Sequence, residues 1–281
     1  MHADIYRSGA FVELDMQAAR QAAEEAAQAA EQVINDFLAR GDWHVTLKSD
    51  QSPVTEVDVA AEKAIKSVLT SALPGASFFG EETGKSAASD ESASGSGLRW
   101  LVDPIDGTKS FIRGSRYYST QIALEVDNVL RLGVSNAPAY GECLVAEADQ
   151  GAWLDGRAVR CNEVTSLEDA FFSAGNLTTL ARDADAWARY ASIVGRVRRV
   201  RGYGDFCHYH QLCCGQADLV LESDVNILDI AALTVAVRAA GGIITDLQGQ
   251  SVNDSTTSVL AACTEALHAE ALAVLQGRSG Q

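Results

Sequence analysis

Long apolar runs are missing from this sequence: no stretch approaches the roughly 20 residues that a membrane-spanning helix needs. No basic segment followed by an apolar core opens the N-terminus, as a secretory signal would. The six cysteines, among them adjacent Cys213-Cys214, contain no C-x-x-C spacing. That sets aside a zinc ribbon or a dithiol redox site and leads to the expectation of a soluble protein in a reducing cytoplasm. Cations are scarce, with 22 Lys and Arg against 38 Asp and Glu and a net charge of −16. Nucleic acid and anionic membrane surfaces are therefore poor partners, and a chain this acidic needs bound cations if it is to handle a phosphate ester. What is present is apolar material: 281 residues at 47% hydrophobic content supply a core for one large domain or two modest ones.

Helical spacing of Leu14, Ala18, Ala22, Ala26, Ala29, Val33 and Phe37 predicts one long amphipathic helix over 13–39, ended by Gly41. A second helix begins at Thr55, where Thr-x-x-Asp resembles a capping box, and carries Ala61, Ile65, Val68, Leu69 and Leu73 on one face. A short strand over 76–79 follows. The Ser- and Gly-rich segment 84–97 reads as a surface loop. A buried strand over 98–102 is expected to stop at Pro104, and strands over 118–126, 129–136 and 142–148 suggest an antiparallel meander. From Ala170 onward short strands alternate with helices, an α/β pattern. The last clear helix signal is 229–240, with Ile230, Leu233, Val237 and Ala240 on one face and Gly241-Gly242 as its stop.

The chemistry is concentrated in Asp103-Pro104-Ile105-Asp106-Gly107-Thr108. Two carboxylates, a backbone carbonyl and a hydroxyl surround one turn, and Gly107-Thr108 opens a helix whose free N–H groups suit phosphate oxygens. Glu81 and Asp229 also stand where a strand ends or a helix begins, so all four acids are candidates for one crevice. Converging carboxylates repel one another unless divalent cations neutralise them, and an all-oxygen set favours magnesium. Taken singly each acid has a plainer reading: a helix N-cap for Asp229, a surface charge at a strand end for Glu81. His208-x-His210 lacks a third ligand for a tetrahedral metal site and is read as structural or substrate-facing. Together these groups permit hydrolysis of a phosphate monoester, the attacking water and leaving oxygen held on opposite sides of phosphorus.

These motifs resemble the inositol monophosphatase family of magnesium-dependent, lithium-sensitive phosphatases over roughly residues 10–270. Lys48 with Ser52-Pro53-Val54-Thr55-Glu56-Val57-Asp58 is similar to that family's K-x(n)-P-V-T-x-x-D element, Gly80-Glu81-Glu82 to its G-E-E, and 103–111 to its D-P-I-D-G-T-x-x-F signature. Leu228-Asp229-Ile230-Ala231 keeps the acid of W-D-x-A without the Trp, and 151–157 resembles a G-A-x-x-N-G hairpin of the scaffold. The resemblance implies an α+β fold, the sugar-phosphatase fold of alternating αβαβα layers. Residues 1–165 would be an α+β part carrying most metal ligands, and 166–281 an α/β part carrying the specificity residues and Asp229. It implies two or three Mg2+ bound by Glu81, Asp103, the Ile105 carbonyl, Asp106 and Asp229. Asp58 and Thr108, with Glu81, would act on the water, Gly107 and Thr108 would hold phosphate, Asp229 would also face the substrate, and the assembly would be a homodimer.

Arg201-Gly202-Tyr203-Gly204-Asp205-Phe206-x-x-Tyr209 departs from the G-S-x-A of inositol phosphatases and looks like the histidinol-phosphatase branch. Asp205 and Glu222 would suit a substrate bearing a protonated amine, although Asp205 reads equally as a turn residue, and Arg201 as a partner of either Asp205 or phosphate. The expected activity is histidinol-phosphate hydrolysis in histidine biosynthesis. Inositol-1-phosphate is the first alternative. A 3′-phosphoadenosine 5′-phosphate nucleotidase, which calls for a basic cluster at a second phosphate, is another, and a regulatory binding protein on a phosphatase fold is the non-enzymatic one.

Overall fold

The structure, a computed structural model, describes residues 14–47, 53–88 and 97–278. Lys48, Ser52 and residues 89–96 of the expected surface loop lie outside the described residues. Helix α1 (Met16–Arg40) is capped by Asp15, whose side chain accepts from the Ala18 N–H, and it ends at Gly41 in the left-handed region, φ 73°. Its buried face is Ala19, Ala22, Ala23, Ala26, Ala27, Ala30 and Ile34. The stripe is thus rotated from the expected one: Ala18 is exposed and Ala29 only partly covered. Small side chains along this face let α1 lie close on α2 (Glu56–Ala72). Ahead of α2, β1 (Val45–Leu47) and β2 (Pro53–Thr55) pair as a short antiparallel ribbon.

Beneath these helices lies an eight-stranded sheet. Its strands are β3 (Ser77–Gly80), β4 (Gly84–Ser86), β5 (Leu98–Asp106), β6 (Ser119–Val126), β7 (Val129–Ala137), β8 (Glu142–Glu147), β9 (Gly151–Leu154) and β10 (Arg157–Val159), in the order β10-β9-β8-β7-β6-β5-β3-β4. The meander β6-β7-β8 is as expected, and β3 runs parallel to β5. Part of the expected loop is therefore a strand, because Gly84–Ser86 pairs with β3. Period-2 alternation sends Trp100, Val102, Ile122, Leu124, Val134 and Val145 to the α1–α2 side, and Leu101, Ala123, Leu144 and Ala146 to the other. Both faces are buried, each large side chain contributing about 1.5–3 kcal/mol.

The second sheet comprises β11 (Phe171–Gly175), β12 (Arg199–Arg201), β13 (Leu219–Ser223), β14 (Ile243–Asp246) and β15 (Ser258–Ala262), ordered β12-β11-β13-β15-β14. Strand β11 is parallel to both neighbours, and β15 antiparallel to both of its own. Helices α5 (Asp205–Cys213) and α6 (Ile227–Ala239) fill the space between the sheets, while α4 (Ala184–Arg196) and α7 (Glu265–Leu275) cover the outer face. The layers are αβαβα. The expected single apolar face of α6 is corrected by its position: between two sheets there is no solvent side, and its residues from Ile230 to Val237 are all buried. Among the described residues no helix is long and apolar enough to cross a membrane, and all six cysteines are free.

Contact between α6 and the larger sheet is close at Gly133, where an added Cβ would lie 2.4 Å from the Ala232 carbonyl oxygen. Gly133→Ala should therefore lower unfolding free energy by about 1–3 kcal/mol through overpacking. The urea midpoint measures this, and an unchanged midpoint would contradict the packing described.

Candidate active site

The acidic cluster is made by an irregularity in β5. In a regular strand residues three apart face opposite sides, so Asp103 and Asp106 would diverge. Here the register with β6 passes from Asp103↔Gln121 to Asp106↔Ser119, leaving Pro104 and Ile105 together opposite Thr120. This is a β-bulge, and it returns both acids to one side. The expectation that Pro104 ends the strand is corrected: a proline lacking its N–H is tolerated at a bulge. Its carbonyl accepts from Thr120 Oγ1 at 2.8 Å, while the Ile105 N–H donates to Asp103 Oδ1 at 2.9 Å. Gly107 follows at φ 91°, and a Cβ there would meet the Tyr117 carbonyl oxygen at 2.8 Å; helix α3 (Thr108–Ile112) then begins.

Asp229 joins from α6. It is not the N-cap expected from spacing: Asn226 takes that position, and Asp229 is the third helical residue of a capping box, accepting from the Asn226 N–H at 2.8 Å. Carboxylate oxygens of Asp103, Asp106 and Asp229 lie within 4.8 Å of one another. Burial, then the charges of Glu81, Asp106 and Asp229, pushes Asp103 well above the ordinary carboxyl range. Burial and the Asp205, Asp229 and Glu222 charges do the same to Asp106, and burial raises Asp229 to about 7. Glu81 reaches Asp103 because its N–H bonds the Val102 carbonyl at 3.1 Å, carrying the β3–β5 ladder one residue further. An oxygen-only donor set with this much uncompensated negative charge fits a hard divalent cation.

Thr108 Oγ1 lies 2.9 Å from the Ile105 carbonyl oxygen and 3.1 Å from Asp58 Oδ1. Asp58 is the third residue of α2 and caps it reciprocally with Thr55. Burial raises the Asp58 carboxyl, and hydrogen bonds from Thr55 and Thr108 oppose the rise. The structure thus brings together Asp58, Glu81, Asp103, Ile105, Asp106, Gly107, Thr108 and Asp229.

Asp205 approaches from the second sheet. It holds φ 45° at the start of α5, and its charge is the largest repulsion on Asp106 after burial. Its N–H donates to Glu222 Oε1 at 2.7 Å and Asn176 Nδ2 donates to its carboxylate at 3.0 Å. Burial and Glu222 raise its own carboxyl. Glu222 is not presented to a ligand as expected. It is buried, with His208 Nε2 3.1 Å from Oε2. Burial raises its carboxyl, but His208 and the Asp205 amide outweigh that and leave it below the ordinary value. Arg201 is neither on Asp205 nor in the cluster: it donates to the Val200 carbonyl and shares an edge groove with Asp169, Phe171, Arg198, Arg199 and Tyr203. That gathers a basic surface which local sequence reading missed.

The two histidines do not face one ligand, since residues two apart on a helix point in different directions. His208 serves Glu222, whereas His210 Nδ1 is 2.9 Å from Glu142 and Nε2 2.9 Å from Ser135. Gln121 Nε2 donates to both Ser135 and Ser119, and Ser119 donates to Asp106 at 3.2 Å. Ser119 and Asn176, which touch the candidate residues directly, carried no motif in sequence. Glu62 carried a signal that went unread: an acid on the apolar face of α2, one turn beyond Asp58.

Residues 11–279 match the sequence profile of the inositol monophosphatase family. The chain is 37% identical over 238 residues to a histidinol-phosphatase of Chlorobaculum parvum, covering 83% of this chain and 88% of that one. It is 30% identical to an inositol-1-monophosphatase of Mesorhizobium japonicum, covering 80% and 83%. Its fold matches the crystal structure of the extragenic suppressor protein suhB of Bartonella henselae with a TM-score of 0.80 and 27% identity, over 93% of this chain and 98% of that chain.

If repulsion within the cluster is as described, Asp106→Asn should stabilise the protein in EDTA, raising the thermal midpoint by about 2–4 °C for each kcal/mol of repulsion relieved. The same variant should lose most of the further rise that MgCl2 gives the wild type. Calorimetry in both buffers checks this, and a lower midpoint in EDTA would contradict it.

Proposed function

The chain belongs to the inositol monophosphatase family of metal-dependent phosphoric monoester hydrolases, and from that premise we propose that its substrate is histidinol phosphate, hydrolysed to histidinol and phosphate in histidine biosynthesis. The observation that carries the choice is Asp205, a carboxylate held by Asn176 and the Glu222-held turn where its charge acts on Asp106. The ester oxygen of histidinol phosphate lies two carbons from an ammonium group, and an acid in a desolvated pocket selects that charge over a neutral polyol. Similarity to histidinol-phosphatases supports the same reading.

Glu81, Asp103, the Ile105 carbonyl, Asp106 and Asp229 are the groups that would hold Mg2+, two or three ions per site. Bound there, the ions supply charge neutralisation for phosphate and acidify water. The Gly107 and Thr108 amides bind phosphate oxygens. Thr108 donates its hydroxyl proton toward Asp58, so its lone pairs are turned to the attacking water. As the water oxygen bonds phosphorus, the water's proton passes to Thr108 and Thr108's own to Asp58, while the ester P–O bond breaks with its electron pair on the histidinol oxygen, which takes a proton from solvent water. Asp205 holds the substrate ammonium, with Glu222 and His208 fixing it from below. Residues 166–281 are then the part that sets specificity, working in a cytoplasmic homodimer.

Phosphate release from histidinol phosphate, inositol-1-phosphate and 3′-phosphoadenosine 5′-phosphate, each with MgCl2, tests the proposal. Histidinol phosphate should have the highest kcat/KM. Asp205→Asn should lower that value by roughly 10- to 100-fold, the size of one charge-assisted hydrogen bond, and leave inositol-1-phosphate unaffected. Equal loss on both substrates removes Asp205 from recognition, and no turnover on any would favour a binding protein. Asp58→Asn should lower kcat by about 10²–10⁴-fold on every substrate, as loss of a proton acceptor does, while metal titration stays at the wild-type value.

A further inference from the structure

Glu62 is a carboxylate in the wrong place for a charge. It sits on the buried face of α2 among Ala61, Ile65 and Leu69, and its residue is 1% exposed. Burying an acid is costly unless strong donors meet it. Two do: the Glu82 N–H reaches Oε2 at 2.7 Å and the Thr83 N–H reaches Oε1 at 2.9 Å. Both donors belong to the tip of the β3–β4 hairpin, directly after Glu81. Room for the carboxylate exists because residue 80 is glycine, where a Cβ would lie 2.4 Å from the Glu62 Cδ.

The hairpin itself is slight. Its ladder is three pairs long, from Phe78↔Ser86 to Gly80↔Gly84. Glu81 stands at the first position beyond it, where the N–H bond to Val102 aligns it with Asp103 on β5. Turning the Glu82 and Thr83 amides inward onto a fixed charge sets the backbone on the far side of Glu81. We propose that Glu62 is a positioning residue for the metal site: its clamp on the hairpin tip holds Glu81 beside Asp103 in the geometry that binds the cation. The proposal rests on Glu81 being a metal ligand. Each Glu62 oxygen accepts an N–H of the hairpin tip, and Glu62 stands outside the cluster of Asp103, Asp106 and Asp229, so the role assigned to it is positioning and not ligation. With Asp58 one helical turn earlier holding Thr108, a single face of α2 braces two sides of the acidic cluster.

Mn2+ titrated calorimetrically into the metal-free protein tests this without reference to turnover. Glu62→Gln keeps the shape but turns an NH2 toward an N–H donor, and it should raise the Mn2+ dissociation constant by roughly 10- to 100-fold, as loss of a group orienting a ligand does. Gly80→Ala, which displaces the Glu62 carboxylate from above, should raise it similarly and serves if Glu62→Gln does not fold. Leu267→Ala, a buried truncation in the outer helix α7, should destabilise the chain and leave the constant unchanged. Wild-type affinity in Glu62→Gln or Gly80→Ala, alongside weakened Glu81→Gln, overturns the clamp. Equal weakening in Leu267→Ala shows general loosening and also overturns it. Wild-type affinity in Glu81→Gln removes the ligand assignment beneath it.

Discussion

Three carboxylates held within 4.8 Å of one another against their own repulsion are the constraint around which the molecule is arranged. No single element can deliver them. Asp103 and Asp106 come from one strand and Asp229 from a helix more than a hundred residues later, and each is tied down by a hydrogen bond from the fold. Ile105 holds Asp103, Ser119 holds Asp106 and Asn226 holds Asp229. These ties compensate part of the cost of burying charge, and a cation held there would supply the rest. Repulsion of this kind explains why the scaffold is thick: side chains this unfavourable must be clamped by buried layers on both sides.

What could be read from sequence was what local chemistry decides. Thr55 and Asp58 announce a capping box in their spacing, Gly41 announces a helix end, and the β6-β7-β8 meander is written in alternation and turns. The D-P-I-D-G-T segment was legible as a turn that gathers two carboxylates for the same reason. Pro104 misled because a proline stops a regular strand, and only the partner Thr120 reveals that this strand continues through a bulge. Asn226 and Asp229 are both good helix-starting residues, so which one caps depended on where the helix docks.

Other features exist only in three dimensions. Glu222 reads as a pocket acid by charge, yet His208 and the Asp205 amide draw it inside. Arg201 reads as a partner of Asp205 or of phosphate by proximity, yet strand β12 turns it to the sheet edge. Helix α6 shows one apolar face by periodicity, and a second sheet makes every face an inner one. In each case a contact from a distant segment overrode what the nearby residues suggested.

The placement of α6 between the two sheets, with Asp229 in its first turn, has a consequence for assembly. The bulged strand and the helix must dock before the three carboxylates meet, so a cation that needs all three recognises only the finished molecule. Such an ion would act as mortar in the joint between layers. At a concentration one hundred times its dissociation constant such an ion would add about 2.7 kcal/mol to the assembled state, so that its supply would help set how much of the chain is folded.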